Sequence, residues 1–185
     1  MIQKRKQVEG GAPLTRISYW LMPVAEESGR FASVISRLAG EFGGPPFAPH
    51  LTLYSTTTAD DNDDPGRILT EAANHGGELL LRCTGLEFSE KFTKACFLSF
   101  APDPQLNRLS EALRENSCRA DIYQLKPHLS LFYGSLTRQD RERILNLVQI
   151  PGTVRFGRLT AMATSAIVRT GKDVEGWRQL AALPL

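Results

Sequence analysis

PHLTLYS (49–55) and PHLSLFYG (127–134) share one pattern, P-H-L-[T/S]-L, and their histidines stand 78 positions apart. Each reads as a short strand, opened by a proline that biases the residue before it toward extended backbone. Side chains alternate along a strand, so His50 and Thr52 share one face while Leu51 and Leu53 share the other. His128, Ser130, Leu129 and Leu131 repeat the arrangement. One face suits a core; the other carries an imidazole and a hydroxyl.

Outward from these strands, the preceding segments also match. ISYWLMP (17–23) reads as a strand, and Ser28 to Phe42 as a helix with Phe31, Val34, Ile35, Leu38 and Phe42 at helical spacing, ended by Gly43-Gly44-Pro45-Pro46. In the second half ACFLSF (95–100) is the strand, and Asp103-Pro104 supplies an N-cap and first-turn proline for a helix bearing Leu106, Leu109 and Leu113. Trp20 and Leu98 are again 78 positions apart, so strand, helix and motif recur in step.

Between the copies, Asp64-Pro65 caps a helix reaching about Asn74, and ELLLRC (78–83) with GLEFS (85–89) reads as a two-stranded hairpin. After the second copy, Thr137 and Asp140 open a helix holding Ile144, Leu145 and Val148. Three β-rich runs follow, at 154–159, 161–169 and 176–183, with TGKDVEG (170–176) as a hairpin loop. The expected fold is α+β: two pseudo-symmetric lobes, each a largely antiparallel sheet backed by helices, around a central cleft. Residues 16–185 form one bilobal domain, and residues 1–15, basic with Gly10-Gly11 and Pro13, a disordered leader.

Composition limits the function. A chain of 185 residues, 42% apolar and 23% charged, describes a soluble globular protein. A net charge of +2, from 22 basic and 20 acidic residues dispersed along the chain, does not itself indicate nucleic acid or a membrane as partner. Any anion site is therefore local. Cys83, Cys96 and Cys118 are an odd set without a C-x-x-C pair, which fits reduced, mostly buried thiols rather than disulfides or zinc. No secretory signal or membrane-length apolar run is present, so a cytoplasmic monomer is expected. In ADDNDDPG (59–66), Asp61, Asp63 and Gly66 fit a calcium loop, but Pro65 and Ala72 stand where two further ligands are needed, so no metal or other cofactor is expected.

Two matched histidine motifs carry the chemistry. Opening a cyclic phosphate with water needs a base for the water proton, an acid for the departing ribose oxygen and donors for the non-bridging oxygens. Imidazole titrates near pH 6.5, so one ring of a pair can be neutral while the other is protonated. His50 and His128 are the candidate acid and base, Thr52 and Ser130 the candidate donors. A lone H-x-T strand would more simply be core; its recurrence after matching strand and helix units favours catalysis. His75, in NHGG at a helix end, reads as a solvated histidine. Trp20 and Trp177 read as core residues in strands, with Trp20, near the cleft by the repeat, also a candidate substrate contact.

At these residues the chain resembles the two-histidine (2H) phosphoesterase superfamily, whose signature is two H-x-[T/S]-x motifs in related lobes. SYWLMP, GEFGGPPFAPHLTL, ACFLSF and KPHLSLFYGSLT are similar to the plant-type cyclic phosphodiesterases. The resemblance implies metal-free hydrolysis of ADP-ribose 1″,2″-cyclic phosphate to ADP-ribose 1″-phosphate, and of nucleoside 2′,3′-cyclic phosphates to 2′-phosphates. It implies Tyr133 beside the phosphate, Phe92 on base or sugar, His128 as base and His50 as acid. Plant members can carry a disulfide in the loop before the second motif; here SCRADIYQLK (117–126) has only Cys118, so no redox gating is expected. That loop could still close over substrate, with Arg119, Tyr123 and Lys126 meeting phosphates. Two alternatives remain: an RNA-end enzyme acting on 2′,3′-cyclic termini or 2′-5′ linkages, which needs a basic path not evident in the sequence, and a non-catalytic nucleotide or RNA-end binder.

Overall fold

A computed structural model describes residues 15–57, 64–118 and 123–185. Residues 1–14 of the expected leader, the calcium-loop candidates Asp61 and Asp63, and Arg119 lie outside the described residues, while Thr15, expected in the leader, begins the first strand. The elements are β1 (Thr15–Pro23), α1 (Ala25–Phe42), β2 (Leu51–Thr57), α2 (Pro65–Ala73), β3 (Leu79–Phe88), a 3-10 turn (Phe92–Lys94), β4 (Cys96–Phe100), α3 (Pro104–Asn116), β5 (His128–Phe132), α4 (Arg138–Leu147), β6 (Thr153–Ser165), α5 (Gly171–Glu175) and β7 (Arg178–Pro184).

Local chemistry sets the helix ends. Asp64 accepts from the amides of Gly66 and Arg67, Asp103 accepts from that of Leu106, and both are followed by a first-turn proline. Thr137 and Asp140 form the capping box of α4. α1 ends at Gly43 with φ 76°, a left-handed conformation costly to a residue with a Cβ. At the next residue, Gly44, a Cβ would lie 2.4 Å from the Tyr133 carbonyl oxygen, so the helix exit can press on the end of β5 only through glycine.

All strand pairings are antiparallel, giving the expected α+β architecture. The long strand β6 belongs to both halves: Thr153–Phe156 pairs with β3, and Phe156–Ser165 lies against β1, with β7 on its other side. One half is therefore β2-β1-β6-β7 and the other β6-β3-β4-β5. The motif strands meet at a second junction, Leu51 opposite Leu129. The two halves are thus stitched into one hydrogen-bonded network of seven strands.

Three sequence expectations are corrected. Residues 78–89 form no hairpin: β3 is continuous, with a register irregularity between Cys83 and Gly85 where its pairing passes from β6 to β4. Thr84-Gly85 has turn composition, but the backbone uses it as a bulge. Runs 154–159 and 161–169 likewise merge largely into β6. TGKDVEG is the short helix α5, capped by Thr170 and Asp173, rather than a hairpin loop.

The core lies behind the motif strands. Leu51, Leu53, Leu129 and Leu131 are fully buried with Tyr19, Tyr54, Phe132 and Phe156. Burying each leucine contributes roughly 1.5–3 kcal/mol. The repeat is crossed in space, since α3 packs on β2 and α1 on β5. Ser110 of α3 donates to the Leu53 carbonyl at 2.7 Å, and Phe42 of α1 meets Phe132 edge-on with centroids 6.1 Å apart. Each helix thereby supports the other copy's histidine strand. Among the described residues, no helix is long and apolar enough to cross a membrane.

Candidate active site

With the leucines turned into the core, alternation directs His50, Thr52, His128 and Ser130 to one cleft of about 280 Å³. Arg16, Ser18, Trp20, Tyr123, Tyr133 and Trp177 share its walls. Phe92 packs beside Tyr133, ring centroids 6.2 Å apart, but is not among the lining residues; its neighbour Thr93 is. His75 is an exposed residue just after α2, outside the cleft.

Both histidines are oriented alike. Nδ1 of His50 lies 2.7 Å from the Ala48 carbonyl oxygen, and Nδ1 of His128 lies 2.7 Å from that of Lys126, two residues back in each case. A carbonyl can only accept, so each Nδ1 carries a proton and each Nε2 is the nitrogen left for chemistry. The paired prolines fit this geometry, holding the residue before them extended.

Their surroundings differ. His50 is 7% exposed, stacked on Trp20 at 3.6 Å between centroids, with Phe47 and Trp177 edge-on. Burial pulls its pKa down to about 4, opposed by the Ala48 hydrogen bond and reinforced by His128. His128 is half-buried, and its pKa is also lowered, first by burial and then by the nearby Lys94 and Lys91 charges, against the Lys126 carbonyl and Glu87. Burial thus holds the His50 ring neutral more firmly than the His128 ring. The bound phosphate anion would favour the charged form of the ring nearest it.

The Ser130 hydroxyl is already engaged. Ser130 Oγ donates to the Thr93 carbonyl at 2.9 Å and lies within hydrogen-bond reach of Tyr133, whose phenol burial pushes well above its ordinary value. Reaching a phosphate requires Ser130 to turn its proton away from Thr93. Tyr123 donates to the Thr52 carbonyl at 3.3 Å, tying the loop before β5 to the first motif. Cys118, in the same loop, is exposed, Cys96 is buried and Cys83 is half-buried, and the three form no disulfide.

Sequence reasoning missed two aromatics. Phe47 stacks on Tyr133 at 3.8 Å, and Trp177, read as a strand residue, precedes β7 and faces Trp20 at 5.2 Å. Phe47 stands three residues before His50, and its place in a Pro-Pro-Phe turn was the available signal. The sequence reading named Lys126 but missed two further cations, Arg82 and Lys94. Lys94 lies 4.0 Å over Phe97, which meets His128 edge-on at 5.5 Å, while Arg82, Lys94 and Lys126 line an adjoining groove. These cations are far apart in sequence and converge only on folding. Among the described residues no group of three His, Cys, Asp or Glu side chains could hold a metal ion.

The family of cyclic phosphodiesterase-like proteins matches residues 15–185, which include both motifs and every strand. The chain belongs to this family. A cyclic phosphodiesterase of Arabidopsis thaliana is 26% identical over 173 residues, covering 91% of this chain and 94% of its own length. A solved phosphoesterase superposes with a TM-score of 0.59 at 18% identity, covering 92% of this chain and 98% of that one. Escherichia coli LigT complexed with NADP+ superposes with a TM-score of 0.57 at 18% identity, covering 94% and 98%; LigT is also known with 3′-AMP. The enzyme class is therefore cyclic phosphodiesterase, on the α+β fold of the two-histidine phosphoesterases.

Proposed function

We propose that this cyclic phosphodiesterase hydrolyses ribose cyclic phosphates without a metal: ADP-ribose 1″,2″-cyclic phosphate to ADP-ribose 1″-phosphate, and nucleoside 2′,3′-cyclic phosphates to 2′-phosphates. The observation that carries this reading is the matched pair of imidazoles in one cleft, each with Nδ1 fixed on a carbonyl and Nε2 left for proton transfer. One Nε2 takes a proton from water as its oxygen bonds to phosphorus. The other gives a proton to the ribose oxygen as the P–O2″ or P–O3′ bond breaks. Thr52 and Ser130 hydroxyls, with Tyr133, serve the non-bridging oxygens, and Trp20 supports His50. The Arabidopsis relative's activity and the nucleotides in the LigT complexes support the substrate class.

The test is phosphorus NMR of each cyclic substrate in EDTA. Wild type should open the ring, whereas His50→Ala and His128→Ala, folded by circular dichroism, should each be slower by about 10² or more. Activity lost in EDTA and restored by a divalent ion would refute the metal-free mechanism.

The cations gathered beside His128 favour a second reading, in which the cyclic phosphate ends an RNA strand whose backbone follows Arg82, Lys94 and Lys126. It requires a short RNA with a 2′,3′-cyclic end to be a better substrate than the mononucleotide, with an advantage that salt removes. Equal kcat/KM for the two at low salt would dismiss it.

A further inference from the structure

The end of the cleft away from His128 is lined by groups that the two-histidine chemistry leaves unused. Along β1, Arg16, Ser18 and Trp20 line the cleft on one strand face, and Trp20 is the residue stacked on His50. Four residues of strand place Arg16 about 13 Å from Trp20 along the backbone, a nucleotide-scale span. Ser18 Oγ is 2.8 Å from Ser55 Oγ and 3.2 Å from Thr164 Oγ1, so three hydroxyls from β1, β2 and β6 meet beside Arg16. Arg16 Nε is buried without a hydrogen-bond partner, and no carboxylate of the described residues lines the cleft. The guanidinium charge also reaches Tyr123, holding its phenol below where burial alone would push it. A buried donor left unpaired is costly, and a cation beside movable hydroxyls is the chemistry that receives a phosphate.

We propose that Arg16, with Ser18, Ser55 and Thr164, forms a second anion subsite that holds a phosphate on the 5′ side of the ribose whose cyclic phosphate the histidines open. This rests on the cyclic phosphodiesterase reading and sharpens it: preferred substrates carry a second phosphate, as a dinucleotide-like or 5′-phosphorylated cyclic phosphate does. A nucleoside 2′,3′-cyclic phosphate without one leaves the subsite empty.

Binding of product-like ligands separates the subsite from turnover. Isothermal titration should show adenosine 2′,5′-bisphosphate binding wild type about tenfold or more tighter than adenosine 2′-phosphate, the scale of one charge-assisted contact. The ratio should fall toward one in Arg16→Gln, recover in part in Arg16→Lys, and narrow in Thr164→Val, which keeps volume and loses the hydroxyl. The kcat/KM ratio between 5′-phosphorylated and unphosphorylated 2′,3′-cyclic AMP should follow the same order. Equal wild-type affinity for the two ligands, or a preference undiminished in Arg16→Gln and Thr164→Val, overturns the subsite. Failure of wild type to open either cyclic substrate strikes the cyclic phosphodiesterase reading instead, and the binding ratio still decides the subsite.

Discussion

At the scale of single residues, two copies of the same side chain have been given different environments. His50 lies under Trp20 and out of water, while His128 is half-buried beside lysines. An acid and a base differ in what they tolerate losing: an acid is dispensable when the leaving group departs unaided. With bis(para-nitrophenyl) phosphate as substrate, one of His50→Ala and His128→Ala should regain much of its activity and the other should not. The rescued variant marks the acid; rescue of both, or of neither, contradicts the division of labour. The pKa directions add a second expectation. Both rings are depressed, so in the free enzyme the protonated acid persists only on the acid side of pH 6.5. The kcat/KM profile should peak below that value and decline through neutrality, and a plateau extending to pH 8 would contradict it. Folding carries the same signature. His50 binds its proton less readily folded than unfolded, so its contribution is complete above pH 6.5 and lost as pH falls toward about 4. The loss is on the order of 3 kcal/mol. Urea titrations across that range should show it in wild type, with a smaller slope in His50→Gln.

At the scale of elements, what could be read from the chain depended on whether the signal was local. The two histidine strands, the helices opened by Asp64-Pro65, Asp103-Pro104 and Thr137-x-x-Asp140, and the stop at Gly43-Gly44 all state their boundaries in adjacent residues. The continuity of β3 through Thr84-Gly85 could not be read that way. A bulge and a turn share composition, and only the partners on either side decide between them. The site divides likewise: His50, Thr52, His128 and Ser130 follow from strand alternation, whereas Arg16, Phe47, Trp177 and the lysines beside His128 converge through tertiary packing. Gly44 shows how such packing reaches the cleft. A methyl there would collide with the Tyr133 backbone and the Phe132 ring, while Phe47, three residues on, stacks on Tyr133. Gly44→Ala should cost about 1–3 kcal/mol in chemical denaturation and raise KM by displacing Tyr133. An unchanged KM in a destabilised variant would show the turn to be structural only.

At the scale of the whole molecule, a repeat invites the thought of two units able to fold apart, but the pairing opposes it. β6 completes both half-sheets, β2 and β5 join at Leu51 and Leu129, and each copy's helix packs on the other copy's motif strand. Removing one half would expose the buried leucines of the other and leave β6 with unpaired backbone, which costs more than either half gains alone. The cleft depends on this coupling, because its two imidazoles sit on strands held by opposite helices. Unfolding should therefore be a single transition. Leu53→Ala in the first half and Leu98→Ala in the second should each lower stability by about 2–5 kcal/mol. In both variants, fluorescence from Trp20 and Trp177, which report the first half, should lose its native signal together with the far-ultraviolet dichroism of the entire chain. If Leu98→Ala instead separates the two signals, leaving the tryptophans native while helix and strand content falls, the halves are independent. Retained binding by His50 and its neighbours would then be expected without turnover.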